Sequence, residues 1–426
     1  MAGFELRTHK FPGQHIRQYP GATRYNEEDI QYLEVKQYVP TRSHPGSGDV
    51  TIIATQAVSF PKELYEPLFE DMLASSEAHG FRIRSIWAVD ACHHGASGIL
   101  NEHTQGDDPS LFDLGRDILL MTNLFRADMP HPIVGLGHSM GATALLHTSL
   151  MNPRLFASLI LIDPIIGPSI SGAGAALVHM SSMRPDLWPS REAAEKAFKS
   201  VKQFQLWDPR VLPRWLKYGL RDTPTLVYPK ADQITLTTTK ANESWSYARS
   251  AFEPLPPYAT KENYMTDRMR IKYPEMGNTI LQTWPFHRHE AAQVYADLPR
   301  IRPDCLFMFP AKGPMTTAEA MDDKVGRTGV GVGGNGGEKF GRVKKIIMND
   351  VGHLAPFEKP ALCAEIIGEW LGKDLNEWEE RRRFERENRD DKSVSKTALS
   401  DEWISKAKDW FERTKAQQKL TAKAKI

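Results

Sequence analysis

Gly137-His138-Ser139-Met140-Gly141 places a serine between two glycines at the spacing G-x-S-x-G. Chance alone gives this pattern about 0.1 times in a chain of this length, at ordinary glycine and serine usage. Its surroundings make it specific. The apolar run Ile133–Leu136 precedes it and Ala142-Thr143-Ala144-Leu145-Leu146 follows. That is the strand–turn–helix setting of a nucleophile elbow, where small neighbours let strand and helix approach while the hydroxyl stands clear. A serine hydroxyl is a poor nucleophile at neutral pH and needs a base within hydrogen-bond reach. The expected base is His353, in Gly352-His353-Leu354-Ala355-Pro356-Phe357-Glu358-Lys359-Pro360. A carboxylate must then fix the tautomer of that imidazole and stabilise its cation. Asp163 ends the run Leu159–Ile162 and is the expected acid, with Glu319 and Asp322 left as alternatives. The oxyanion of an acyl transfer needs backbone N–H donors. One is expected at Met140, directly after the nucleophile. The other is expected in Gln56-Ala57-Val58-Ser59-Phe60-Pro61 and assigned by position to Val58.

These groups must be carried by elements that bring them together. Val50–Thr55, Ile83–Val89, Ile133–Leu136, Leu159–Ile162, Leu306–Phe309 and Val343–Met348 read as short apolar strands. Helical spacing recurs between them, over Lys62 to His79, Leu111–Phe125 and Ala361–Leu371. Alternating strands and helices imply an α/β fold, a mainly parallel sheet with helices on both faces. Active sites of such sheets form at the carboxyl ends of strands, where Ser139, Asp163 and His353 all fall. Residues 1–45 look polar and turn-rich, with strand-like pieces at His15–Tyr19 and Leu33–Val39.

The rhythm stops between about Ser169 and Arg300. Five of the ten tryptophans lie there, at 188, 207, 215, 245 and 284. The expected organisation is therefore a core from residues 1–168, an inserted helical lid over 169–300, the rest of the core over 301–372, and a charged helical tail over 373–426. In the tail, Trp403, Ile404, Ala407, Trp410 and Phe411 form one apolar stripe at helical spacing.

Composition excludes several classes. The chain has 426 residues, 41% hydrophobic and 25% charged, too apolar for a disordered chain. Lys plus Arg is 54 against 53 for Asp plus Glu, so the basic excess of a nucleic-acid binder is missing. Cys92, Cys305 and Cys363 are odd in number and far apart, which suits a reducing compartment. No apolar run approaches membrane-spanning length, and the amino terminus lacks a secretory h-region. A soluble intracellular protein is expected, with the sequon at Asn242 unused. Gly329-Val330-Gly331-Val332-Gly333-Gly334 satisfies G-x-G-x-x-G but neither follows a strand nor opens a helix, so a flexible connector is expected. His287-Arg288-His289-Glu290 and Cys92-His93-His94 lack the spacing of a zinc site. Neither metal nor cofactor is expected.

Several segments together make the chain resemble an α/β-hydrolase. Within that fold it is similar to fungal hydrolases of secondary-metabolite and toxin clusters, among them peroxisomal acyl-CoA hydrolases of mycophenolic acid biosynthesis and AK-toxin biosynthesis hydrolases. The carriers are Phe60-Pro61-Lys62-Glu63-Leu64-Tyr65-Glu66-Pro67, the Ser139 elbow, Leu161-Ile162-Asp163-Pro164, the glycine run from Arg327 to Gly334, and Gly352-His353. They span about residues 30–370. The resemblance implies a Ser139–Asp163–His353 triad with the acid after the sixth strand. This chain departs from the pattern at Gln56-Ala57, where many relatives carry His-Gly, and at Ser59, where glycine is frequent. A Cβ at Ala57 restricts the backbone of the donor loop.

The resemblance implies an acyl-CoA thioesterase. A carboxylesterase or lipase is the enzyme alternative. Non-hydrolytic acyl transfer and a non-catalytic binding member of the fold remain further readings. Lys196, Lys199, Lys202, Arg210 and Arg214 are candidates to meet CoA phosphates. The last three residues, Ala424-Lys425-Ile426, are a variant of the S-K-L peroxisomal address. The expected partners are thus an acyl-CoA or ester substrate, a peroxisomal import receptor and a second copy of the chain. The expected location is the peroxisomal matrix, or the cytoplasm if the tripeptide is not read.

Overall fold

A computed structural model describes residues 3–41, 46, 48–169, 174–253, 266–275, 285–311, 317–388 and 398–423. Its centre is one eight-stranded sheet. The strands are β1 (Phe4–Pro12), β2 (Tyr32–Pro40), β3 (Val50–Thr55), β4 (Ile83–Val89), β5 (Ile133–His138), β6 (Ser158–Ile162), β7 (Asp304–Pro310) and β8 (Val343–Met348). Their order is β1-β2-β4-β3-β5-β6-β7-β8. β2 runs antiparallel to both neighbours, and every pairing from β4 to β8 is parallel.

The two-residue period of a strand explains the layers. Ile53, Leu159, Leu161 and Phe307 join one apolar cluster with Phe112, Ile118 and Leu145. Those last three come from helices α3 (Leu111–Leu124) and α4 (Met140–Met151), which follow α1 (Glu66–Ser76) and α2 (Gly95–Leu100) in the chain. The alternate residues Ile52, Ile160 and Leu306 are equally buried and face the other way. On that side Trp370, in the helix Pro360–Glu387, donates its indole N–H to Ser158 Oγ at 2.9 Å. Phe69 of α1 meets the Tyr38 ring there at 5.4 Å. β3, β5, β6 and β7 are buried throughout, which is why they read as unbroken apolar runs.

The amino-terminal region differs from expectation. β1 is a nine-residue strand inside the segment read as polar and turn-rich, and its mostly exposed pattern hides it. His15–Tyr19 forms no strand. Gln14 and Gln18 instead donate their N–H groups to Asp117 and Asp113 of α3 at 2.7 and 3.0 Å. The glycine run is no loose connector either. Gly331 N–H donates to Pro299 O at 2.7 Å and Gly336 N–H to Gly329 O at 2.8 Å, closing a compact turn. A Cβ on Gly334 would stand 2.3 Å from Gly329 O, so the turn admits only glycine there.

Between β6 and β7 the chain leaves the sheet. It forms helices at Ala175–Met183, Arg191–Ser200, Val211–Tyr218 and Lys240–Tyr247. It also builds a three-stranded sheet from Leu187–Trp188, Ile234–Leu236 and Leu220–Asp222, an addition to the mostly helical insert expected from the sequence. The helix Glu290–Asp297 returns to pack against α4, with Val294 in the core cluster. The chain divides into two compact units, Met1–Asn376 and Glu377–Ile426. Among the described residues no helix is long and apolar enough to cross a membrane.

Candidate active site

β5 delivers its last residues into a turn that only small neighbours allow. A Cβ on Gly137 would lie 2.4 Å from the Ala142 Cα, and one on Gly141 would lie 2.6 Å from Thr55 O. Ser139 itself adopts φ 56°, a left-handed conformation unfavourable for a residue with a side chain. Its N–H donates to Ile162 O at 2.9 Å, and Gly141 N–H donates to Gln56 O at 3.1 Å. The elbow is thus tied to β6 on one side and to the loop after β3 on the other.

Asp163 follows β6 with φ 39° and donates its N–H to Met308 O at 2.9 Å, continuing the parallel ladder to β7. His353 lies in the loop after β8. Glu358 closes that loop by accepting the Gly352 N–H at 2.8 Å. The three side chains meet although 190 and 214 residues separate His353 from its partners. His353 Nδ1 is 2.6 Å from Asp163 Oδ2, and Nε2 is 2.9 Å from Ser139 Oγ. With the proton on Nδ1 facing the carboxylate, Nε2 is left to accept from the serine hydroxyl. That arrangement can take up the hydroxyl proton and return it to a leaving group. The two alternative acids lie elsewhere. Asp322 pairs with Lys345, and Glu319 sits in the first turn of the helix Ala318–Arg327.

Met140 opens α4, so its N–H belongs to the first helical turn and has no intrahelical acceptor. Among the described residues neither this N–H nor that of Val58 has a protein acceptor. The loop carrying Val58 is braced at both ends. The Gln56 amide, oriented to suit its neighbours, donates to Val89 O and accepts from Ala91 N–H at 2.9 Å. Ser59 holds φ 73°, the conformation glycine would adopt freely, and donates its hydroxyl to Glu243 at 3.1 Å. Glu243 is in turn held by Arg184 at 2.6 Å.

The insert covers this loop with aromatic rings. Phe60 packs against Trp207, Trp215 and Phe357 at 5.9, 5.8 and 5.1 Å between centroids. Its cations are mostly taken. Arg210 forms two 2.8 Å bonds with Asp71, and Arg214 one of 2.8 Å with Glu66. These fasten the insert to α1 and are unavailable to a phosphate. Lys199 pairs with Glu195, while Lys196 and Lys202 are exposed. Arg288, rejected as part of a metal motif, forms a buried pair with Glu290 at 2.8 Å. The tripeptide Ala424-Lys425-Ile426 lies outside the described residues.

Two residues at the site escaped the sequence reading. His138, the variable position of the elbow motif, accepts at Nδ1 from Tyr65 Oη at 2.7 Å and donates from Nε2 to His353 O at 2.7 Å. Nothing in a variable position flags such a role.

Residues 45–366 match the model of the alpha/beta hydrolase family. The chain belongs to that family. It is 36% identical to the type I acyl-CoA thioesterase mpaH' of Penicillium brevicompactum over 94% of both chains. An abhydrolase domain-containing protein of Alternaria alternata, AKT2, is 28% identical over 58% of this chain and 85% of its own. Among solved structures, the peroxisomal alpha-beta-hydrolase Lpx1 of Saccharomyces cerevisiae superposes with a TM-score of 0.67 at 16% identity, over 99% of each chain. This alpha/beta hydrolase is therefore similar to the Penicillium thioesterase along nearly its whole length, insert included.

Proposed function

We propose that this alpha/beta hydrolase cleaves acyl-CoA thioesters through an acyl-enzyme on Ser139. The observation that carries the reading is the hydrogen-bonded sequence Ser139 Oγ, His353 Nε2, His353 Nδ1, Asp163 Oδ2. The choice of thioester is supported by the 36% identity to an acyl-CoA thioesterase over 94% of both chains.

Ser139 Oγ bonds to the acyl carbon as His353 Nε2 takes its proton, and the carbonyl oxygen becomes an oxyanion held by the N–H groups of Val58 and Met140. The C–S bond then breaks, and the thiolate leaves with the proton from His353 as free CoA. Water attacks the acyl-enzyme as His353 takes its proton, and His353 returns that proton to Ser139 Oγ as the Ser139–acyl bond breaks and the acid is released. Asp163 keeps the imidazole in the working tautomer throughout. The aromatic insert serves as a lid that excludes water from the acyl group before attack.

Purified protein incubated with a panel of acyl-CoAs and matched oxygen esters tests this. Free CoA should appear with the wild type and not with Ser139→Ala. Release no greater than in that variant would overturn the thioesterase reading, and turnover of oxygen esters alone would replace it with a carboxylesterase. A peroxisomal destination, through receptor reading of Ala424-Lys425-Ile426, rests on the sequence pattern alone. A fluorescent protein fused ahead of the tail, with and without the tripeptide, tests it by co-localisation. A homodimer through the Trp403–Phe411 stripe is tested by sedimentation of the full chain.

A further inference from the structure

Three loops at the ends of three different strands must agree in position for the proposed reaction. One follows β3 and carries the Val58 N–H, one follows β5 and carries Ser139, and one follows β8 and carries His353. We propose that Tyr65 and His138 are positioning residues that join all three loops through a single chain of hydrogen bonds. The inference rests on the serine hydrolase reading and adds to it two residues that never meet the substrate.

The chain runs in one direction only. Ala57 N–H donates to Tyr65 Oη at 2.9 Å. The phenol proton then faces His138 Nδ1 at 2.7 Å. An imidazole that accepts at Nδ1 carries its own proton on Nε2, and His138 Nε2 lies 2.7 Å from His353 O. A carbonyl oxygen can only accept, so this end fixes the tautomer and every other bond follows. Burial also keeps the His138 imidazole neutral, pushing its pKa down to about 3, with the neighbouring His353 acting in the same sense. No second proton arrangement satisfies all three bonds.

Its placement gives the chain a purpose. His138 is the residue before the nucleophile, Ala57 the residue before the expected oxyanion donor, and His353 the base. Ala57, Tyr65 and His138 are all buried, which separates the chain from anything bound at Ser139. The bond at Ala57 fixes the Gln56–Ala57 peptide, directly ahead of the peptide that carries the Val58 N–H. The bond at His353 fixes the backbone from which the imidazole projects. Catalytic groups lose rate steeply when displaced by about half an ångström, so a rigid tie between them acts on turnover more than on substrate binding. The Tyr65 ring also packs on Phe357 at 4.9 Å, a contact that phenylalanine would keep.

The test uses the full chain with an acyl-CoA, comparing Tyr65→Phe, His138→Phe, His138→Gln and the double variant Tyr65→Phe/His138→Phe. Folding is checked by circular dichroism at the assay temperature. Tyr65→Phe should lower kcat about ten- to hundredfold with KM changed less than twofold. His138→Phe should do the same, and the double variant should be no worse than either single, because one chain is broken once. Glutamine offers both a donor and an acceptor, so His138→Gln should recover much of the loss. A folded Tyr65→Phe as fast as the wild type, or losses that multiply in the double variant, would overturn the inference. If Tyr65→Phe does not fold, equal kcat for His138→Phe and His138→Gln would overturn it. A wild type that neither turns over acyl-CoA nor reacts with a fluorophosphonate at Ser139 would instead bring down the hydrolase reading on which the inference stands.

Discussion

Ser139 and Asp163 both hold positive φ, at a cost on the order of 1–3 kcal/mol each. The surrounding ladder bonds, Ser139 N–H to Ile162 O and Asp163 N–H to Met308 O, offset that cost and fix both side chains at the sheet's rim. His353 completes the group, and its Nδ1 bond to Asp163 decides which nitrogen faces the serine. Asp163→Asn should therefore lower kcat about 10³- to 10⁴-fold while leaving the fold intact, as read by steady-state kinetics beside a thermal melt. A loss under tenfold would contradict the role given to Asp163. The residue scale is also where the sequence was most informative. Serine, histidine and aspartate were legible because the chemistry restricts their type and the glycines restrict their turn. Tyr65 and His138 were not, because Tyr65 and His353 lie 73 and 215 residues from His138 and the elbow motif leaves the type at His138 open.

Elements place these residues through burial first and charge second. β3, β5, β6 and β7 could be read directly, since strands covered on both faces are apolar throughout. β1 could not, because its stability comes from pairing with β2 rather than from its own pattern. Arg210 and Arg214, read from sequence as candidates to meet CoA phosphates, are tethers to α1. Arg214 meets Glu66, whose side chain is only 8% exposed. Arg214→Met should leave that buried carboxylate without its counter-charge, with the Tyr38 hydroxyl still donating to it at 3.1 Å, and lower stability by about 3 kcal/mol. Chemical denaturation reads that loss, and KM for acyl-CoA should move less than twofold. A large rise in KM with unchanged stability would show that Arg214 meets the substrate after all. At the elbow, Gly137→Ala would set a methyl group 2.4 Å from the Ala142 Cα, and this variant should fail to accumulate as folded protein.

Across the molecule, many buried groups titrate as burial dictates, whereas Lys62 and Glu290 follow their ion partners instead. Among the described residues, His93, His94, His138, His147, His287 and His289 are all held below the usual histidine range, in each case chiefly by desolvation. Asp90, Asp113 and Asp117 are pushed up by the same cause, to about 6 and about 7 for the first two. The two sets have opposite signs. Below about pH 6.5 an unfolded chain binds protons that the buried imidazoles refuse, which destabilises the fold as pH falls. The raised carboxyls hold protons in the fold that an unfolded chain releases, which offsets part of this. Six groups outweigh three, and each uncompensated proton changes stability by about 1.4 kcal/mol per pH unit. Tm should fall by several degrees between pH 7 and pH 5 in a thermal melt, and a Tm that rises over that range would contradict the assignment of these histidines as neutral.

The central claim is covalent: the acyl group passes through Ser139. Intact-mass spectrometry of the protein, acid-quenched within its first turnovers of an acyl-CoA, tests it most directly. A mass gain equal to the acyl group is expected, mapped to the peptide containing Ser139 and absent from Ser139→Ala. Steady CoA release with no acylated protein, or with the acyl group on another residue, would contradict it.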